Sequence, residues 1–340
     1  MAPLDSILIF GAGSIGCFVG AALAEGGADV TLVARQRTVD EINAHGITLS
    51  DLDGRQSHLD GSQLRAVTAL AAAPPPGLVL VTVKSRHTDD AAAALSDPRC
   101  RDAHVISFQN GVDNAARLAA RLGDERVIPG MVPFNVVHSD GGRFHRATEG
   151  DLAIADRPTL PPRWLPAFER AGLPLTIHGD FEQVQWAKLL LNLNNPINAL
   201  ANLPLVQELR DRHYRRALAA VMGETLEVLQ RAGIAPARIT PLPMRFVPWL
   251  LRLPTPIFER VASSMLAIDP HARSSMSDDL RSGRPTEIQA INGAVVALAE
   301  RVGHPAPLSA RVMALIADAE RAGPSAPALS GEALWRALRG

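Results

Sequence analysis

The first half of the chain alternates short apolar runs with stretches of helical period. Ser6-Ile-Leu-Ile-Phe10 predicts a buried strand, and Ile15 to Gly26 predicts a helix that stops at glycine. Asp29–Ala34, Leu78–Val83 and His104–Phe108 are further strand-like runs, and Val127-Ile128 begins another. The run at Leu78 follows the breaker Pro74-Pro75-Pro76-Gly77. Strands alternating with helices predict a parallel sheet covered on both faces, which is a Rossmann-like α/β architecture. Residues 143–180 read as further strands and turns that close this domain.

The period changes near Asp180, and helical spacing dominates from there. Phe181 to about Leu203 predicts one long helix, and Glu208 to Gly233 predicts another capped by the glycine. Residues 235–256 contain six prolines and predict a loop with one short helix around Phe246–Leu251. Thr286 to Val302 predicts a third helix, with Ile288, Ile291, Val295, Leu298 and Val302 on one face and Thr286 and Gln289 as a capping box. Residues 324–340 read as a weakly packed tail. The expected organisation is an α/β N-terminal Rossmann-like dinucleotide-binding domain, residues 1–180, followed by an all-α C-terminal domain, residues 181–340.

Composition narrows the function classes. The 340 residues suit two domains, and a formal net charge of -1 shows none of the basic excess of a nucleic-acid binder. Two cysteines, Cys17 and Cys100, form no C-x-x-C pair and suggest reduced thiols in a cytoplasmic protein. The ten histidines show no H-E-x-x-H or comparable ligand spacing, so no metal is expected. The apolar stretch 7–24 lacks a preceding basic region and is broken by Gly11, Gly13 and Gly16, so it reads as strand, turn and helix rather than a signal peptide. No apolar run is long enough to span a bilayer.

Gly11-Ala12-Gly13-Ser14-Ile15-Gly16 is a G-x-G-x-x-G between a predicted strand and a predicted helix. In that setting Gly11 makes the tight turn, Gly13 lets the backbone approach a pyrophosphate, and Gly16 lets the helix pack on the strand. The helix N-terminus would offer free N–H groups to the phosphates. An NAD site usually carries an acidic residue about 20 positions on. Here Arg35 stands 19 residues beyond Gly16, with Arg37 following. A guanidinium favours a 2′-phosphate, so NADPH is the expected cofactor; a pair of surface arginines is the plainer alternative. Lys84 and Asn110 follow the third and fourth strands, at the carboxyl ends where open α/β sheets bind ligands.

Hydride transfer to a ketone creates an alkoxide that needs a proton, and a lysine ammonium can supply it. Lys188 lies in Trp186-Ala-Lys-Leu-Leu-Leu-Asn192, four residues before Asn192 and therefore on the same helical face. The alternative is a snorkelling lysine, with asparagines capping a kink at Pro196. Glu287 would sit in the first turn of its helix, where it could orient Lys188 or merely complement the dipole. Ser275 could donate to a substrate carboxylate or simply cap a helix.

Together these segments resemble the ketopantoate reductase (2-dehydropantoate 2-reductase) family over nearly the whole chain. The matching pieces are Gly11–Gly16, Arg35, Val83-Lys84, Gln109-Asn110-Gly111, Trp186-Ala-Lys188 with Asn192, Ser274-Ser275-Met276, the Ser275-to-Glu287 spacing, and Gly303–Pro307. The resemblance implies NADPH-dependent reduction of 2-dehydropantoate to pantoate, a step of pantothenate and coenzyme A synthesis. It implies Lys188 as general acid, Glu287 as its positioning partner, Asn192 and Ser275 on the substrate, and Lys84 and Asn110 on the cofactor side. The family's second helix asparagine is replaced here by Pro196, and Asn198, ahead of Asn195, is the expected substitute. The expected partner is a small 2-keto acid, with no nucleic acid or membrane; a homodimer is compatible with the sequence. Alternative readings are a reductase of another branched 2-keto acid, a 3-hydroxyacid dehydrogenase, and an NADP-sensing regulator. Arg35 with the Ser275/Glu287 cluster argues against the dehydrogenase, and Lys188 with Glu287 argues against the regulator.

Overall fold

A computed structural model describes residues 6–157, 160, 162–266, 269–325 and 328–340. The chain forms two compact units, Met1–Phe181 and Glu182–Gly340.

The first unit contains strands β1 (Ser6–Phe10), β2 (Asp29–Val33), β3 (Ile47–Ser50), β4 (Gln56–Leu59), β5 (Arg65–Val67), β6 (Leu78–Val81), β7 (His104–Ser107), β8 (Val127–Met131), β9 (Val136–Ser139), β10 (Arg143–Arg146), β11 (Leu152–Ala155) and β12 (Leu175–His178). Its helices are α1 (Ser14–Glu25), α2 (Gln36–His45), α3 (Thr88–Ala94), α4 (Asn114–Leu122) and α5 (Leu165–Arg170). Among the described residues the main sheet runs β5-β2-β1-β6-β7-β8-β11-β12. It is parallel from β5 to β8, and β11 then pairs antiparallel with β8. The central strands β1 and β6 are almost continuously apolar, and β7 has an apolar centre, Val105-Ile106, because helices cover both faces of the sheet.

Chain order reverses at β1, which has β2 on one side and β6 on the other. Open α/β sheets bind ligands at such a switch point, and the glycine turn begins there. A second sheet, β4-β3-β10-β9, is formed of short strands in which polar residues are frequent. Those strands lie outside the apolar runs that marked the main sheet.

The second unit is helical: α6 (Phe181–Asn192), α7 (Asn194–Ala201), α8 (Leu205–Arg210), α9 (Arg212–Arg231), α10 (Val247–Arg252), α11 (Thr255–Val261), α12 (Ser275–Arg281), a π-helical turn (Gln289–Gly293), α13 (Ala294–Arg301), α14 (Pro307–Ala322) and α15 (Gly331–Arg339). The single helix expected over 181–203 is two. Pro196 has no N–H to give the carbonyl of Asn192 and its ring crowds that carbonyl, so the ladder breaks and α7 restarts after Leu193. The helix expected from Glu208 likewise starts afresh at Arg212, because Asp211 caps it by accepting from the His213 N–H at 2.7 Å. Gly233 follows its end at φ +74, as the C-terminal stop requires.

Two further expectations are corrected. The Thr286/Gln289 capping box does not form: Thr286 Oγ1 accepts from the Ile288 N–H at 3.3 Å, and the helix opens as a π turn. The tail expected at 324–340 contains α15, whose Leu334 and Leu338 are buried. Leu329 anchors the approach to that helix: its N–H donates to Leu200 O at 2.9 Å, and its carbonyl accepts from Tyr214 Oη at 2.6 Å. The proline-rich region is equally well tied. Arg215 of α9, fully buried, donates to the carbonyls of Leu209, Arg210, Leu251 and Leu253 and to Thr255 Oγ1, and lies over the Phe258 ring.

Candidate active site

The glycine turn follows β1 directly. The Gly11 and Ala12 N–H groups donate to Val33 O at 3.1 and 3.0 Å, and Thr82 Oγ1 donates to Gly11 O at 2.8 Å. The ends of β1, β2 and β6 are thereby stitched around the turn. Gly11 has φ +105, which L side chains rarely adopt. A Cβ at Gly16 would lie 2.6 Å from Gly11 O, so this glycine is needed for helix–strand approach. A Cβ at Gly13, by contrast, would meet nothing within 4 Å, leaving room for a phosphate near its backbone. Ser14 and Ile15 open α1, where N–H groups lack intrahelical partners, and the first turn holds no acidic residue to compete for them.

Arg35 sits beyond the end of β2 as the N-cap residue of α2, exposed together with Arg37. Lys84 and Asn110 are half-buried beyond β6 and β7. A dense polar network holds their loops. Asn114 Oδ1 accepts from Thr88 Oγ1 at 2.7 Å, while Asn114 Nδ2 donates to Asn110 O at 2.6 Å and to Ser85 Oγ at 3.2 Å. Ser85 Oγ donates to Asn110 O at 2.7 Å, and Gln109 Nε2 donates to Val83 O at 3.1 Å and Thr88 Oγ1 at 2.8 Å. Thr88 and Asn114 are buried, and sequence reading missed both. The only local signal was the four-residue offset between Asn110 and Asn114, which carries no information until the loops fold.

In the second unit Lys188 lies on α6 between the buried Ala187 and Leu189. Burial pulls its ammonium down to about 8. Asn192, also buried, ends the same helix one turn later. Ser274 is the N-cap of α12, its hydroxyl accepting from the Ser277 N–H at 3.1 Å. Ser275 is therefore not the cap; it is the exposed first residue of the helix.

Glu287 is buried just before the π turn. The segment leading to it is held by Arg284, whose Nε donates to Asp279 Oδ1 at 3.1 Å, and by the Thr286 N–H, which donates to Glu320 Oε1 at 2.7 Å. Glu320 was not singled out in the sequence, and Asp279 was given no role there.

Asn198 requires a correction. Its side chain is fully buried, Oδ1 accepts from the Ser274 N–H at 2.9 Å, and Nδ2 donates to Leu203 O at 2.9 Å and Glu208 Oε2 at 3.0 Å. An amide with one acceptor and two donor hydrogens so engaged has little left for a substrate. The network also contains Glu208, a buried carboxyl that sequence reading passed over.

A switch-point glycine turn at a helix N-terminus, joined in sequence to a helical domain bearing a half-buried lysine, defines a Rossmann-type oxidoreductase using a nicotinamide dinucleotide. Residues 7–159 match the profile of ketopantoate reductase PanE/ApbA, and residues 180–320 match that of its C-terminal domain. The chain belongs to the ketopantoate reductase family.

The chain is 29% identical over 302 residues to the 2-dehydropantoate 2-reductase of Pyrococcus horikoshii, covering 87% of this chain and 91% of that protein. It is 27% identical over 299 residues to that of Halobacterium salinarum, covering 86% and 91%. The solved PanE/ApbA family ketopantoate reductase from Ralstonia eutropha JMP134 superposes with a TM-score of 0.78 at 28% identity, over 93% of this chain and 99% of that one. D-mandelate dehydrogenase, solved with NADH and anilino(oxo)acetate, shares the fold at a TM-score of 0.77 and 17% identity, over 93% and 99%.

Proposed function

We propose that the chain reduces 2-dehydropantoate to pantoate with NADPH, in the cytoplasm, for pantothenate and coenzyme A synthesis. The observation that carries this reading is Lys188: a half-buried lysine that desolvation pulls down to about 8, with Asn192 on the same helical face, in a chain whose two halves both match the family. A lysine in that range is mostly protonated at neutral pH yet gives up its proton readily.

A nicotinamide dinucleotide, when bound, would supply the hydride that the keto carbon needs. Lys188 Nζ polarises the keto oxygen and donates the proton it needs as charge develops. Asn192 orients the same oxygen or the adjacent hydroxyl by hydrogen bonding. Ser275 donates its hydroxyl to the carboxylate, a remote contact that places the carbonyl for reaction. Glu287 orients Lys188 and favours its charged form. Gly11, Ala12, Gly13, Ser14, Ile15 and Gly16 would hold the pyrophosphate, Arg35 would hold the 2′-phosphate, and Lys84 and Asn110 would border the cofactor.

The test is NADPH oxidation in the presence of 2-dehydropantoate by the wild type and Lys188→Ala. The account expects kcat to fall by about 10²–10⁴-fold while NADPH binding survives. A variant with wild-type kcat overturns it.

A further inference from the structure

The N-terminus of α12 is fastened to α7 through Ser274. Its N–H donates to Asn198 Oδ1 at 2.9 Å, and its hydroxyl donates to Asn195 O at 3.1 Å while accepting from the Ser277 N–H. Behind Asn198 stands Glu208 of α8. Its Oε2 accepts from Asn198 Nδ2 at 3.0 Å and from Asn194 Nδ2 at 3.1 Å. Asn198 and Glu208 are fully buried, and Ser274 is 3% exposed.

Burying a carboxyl among amides is a costly way to join three helices, and apolar packing would serve stability as well. What a connected polar network adds is a single geometry. That geometry matters here because the helical ladder is interrupted after Asn192, so the α6 ladder alone does not fix the tilt of α7. The next residue after Ser274 is Ser275, exposed at the start of α12.

We propose that Asn198 and Glu208 are positioning residues for the substrate carboxylate: through Ser274 they hold the Ser275 hydroxyl at a set offset from the helical segment that carries Asn192 and Lys188. The inference rests on the reading that Ser275 contacts the keto acid. On that basis the residue at 198 contributes to the reaction without touching substrate, by fixing the distance between the group that grips the carboxylate and the group that protonates the carbonyl oxygen. Asn194 supports the same carboxyl from the first turn of α7.

A double-mutant cycle on the full chain, read by steady-state kinetics at saturating NADPH, tests this. Asn198→Ala is expected to raise KM for 2-dehydropantoate about tenfold, the scale of one lost hydrogen bond, with kcat and the NADPH Kd within about twofold. In a Ser275→Ala background the same change is expected to add almost nothing. Glu208→Gln keeps an acceptor oxygen for Asn198 and is expected to hold KM near the wild-type value, whereas Glu208→Leu raises it.

If Asn198→Ala does not fold, Glu208→Leu takes its place in the same cycle with Ser275→Ala, since it removes the carboxyl that accepts from Asn198 Nδ2. Effects of Asn198→Ala and Ser275→Ala that simply add, or a kcat loss as large as the KM rise, overturn the positioning role while leaving the Ser275 contact standing. A Ser275→Ala enzyme with unchanged KM overturns the underlying site reading itself.

Discussion

Gly11 packs against Val83 so closely that a Cβ on the glycine would overlap Val83 Cγ1 and lie 2.8 Å from the Val83 nitrogen. The turn after β1 and the segment after β6 are thus in van der Waals contact, and the glycine has φ +105. Gly11→Ala would combine backbone strain of about 1–3 kcal/mol with displacement of the Val83-Lys84 segment. The expected result is a lower Tm together with loss of NADPH binding, measured by thermal unfolding and cofactor titration. A variant that melts and binds as the wild type does would show that the turn tolerates a side chain.

Arg35 is exposed at the end of β2 with no carboxylate at the corresponding position. Arg35→Asp removes the proposed phosphate contact and supplies a group for the ribose hydroxyls. A charge-assisted hydrogen bond is worth roughly 1.5–3 kcal/mol, so the ratio of kcat/KM for NADPH over NADH should drop by about 10- to 100-fold. An unchanged ratio means that Arg35 is only a surface charge.

The proposed role of Lys188 as proton donor carries a definite pH dependence. A general acid works only when protonated, and burial holds Lys188 near 8 rather than at its ordinary 10.5. The rate of keto acid reduction should be level below about pH 8 and fall about tenfold per pH unit above it. A profile that stays flat to pH 10 contradicts Lys188 as the proton donor.

Glu208 gives the fold its own pH signature. Burial raises its carboxyl from 4.5 to about 8, against the opposing hydrogen bonds from Asn198 and Asn194. Below about pH 4.5 the group is protonated in both the folded and the unfolded chain. Between 4.5 and 8 the unfolded chain releases the proton while the folded chain keeps it, so this group's contribution falls as pH rises, by roughly 1.4 kcal/mol per pH unit at most. Glu208→Gln removes that dependence. Urea unfolding at pH 5 and pH 8 should show the variant gaining on the wild type at the higher pH, and parallel behaviour would mean that Glu208 is already ionised in the fold.

The parts of the molecule legible from sequence are those set by neighbours in the chain. The glycine turn is local: Gly11 has φ +105 and Gly16 lies close against Gly11 O and Ile9, as the turn and the helix–strand packing require. Strands β1 and β6 were visible because both faces are buried and their residues are almost all apolar. Of the second sheet, β10 falls at the start of the 143–180 segment that reads as strands and turns, whereas Gln56-Ser-His-Leu59 was hidden because it carries neither an apolar run nor a sustained alternation.

Asn198 was misread for a related reason: its partner Ser274 lies 76 residues away, and one sequence cannot distinguish an amide that faces a ligand from one that locks two helices. The same holds for Thr88 and Asn114, whose bond crosses 26 residues. In α15 the signal was present, with Ser330 as cap and Leu334 and Leu338 four apart, but the preceding proline-, serine- and alanine-rich stretch obscured it.

The central claim is best tested by substrate choice. The purified chain should be offered 2-dehydropantoate, other branched 2-keto acids and aryl 2-keto acids, with NADPH oxidation followed at several concentrations of each. The account predicts the highest kcat/KM for 2-dehydropantoate, with product identified as pantoate. A clear preference for another keto acid would move the chain to a different substrate within the same fold, and no NADPH oxidation with any of them would contradict the assignment as a reductase.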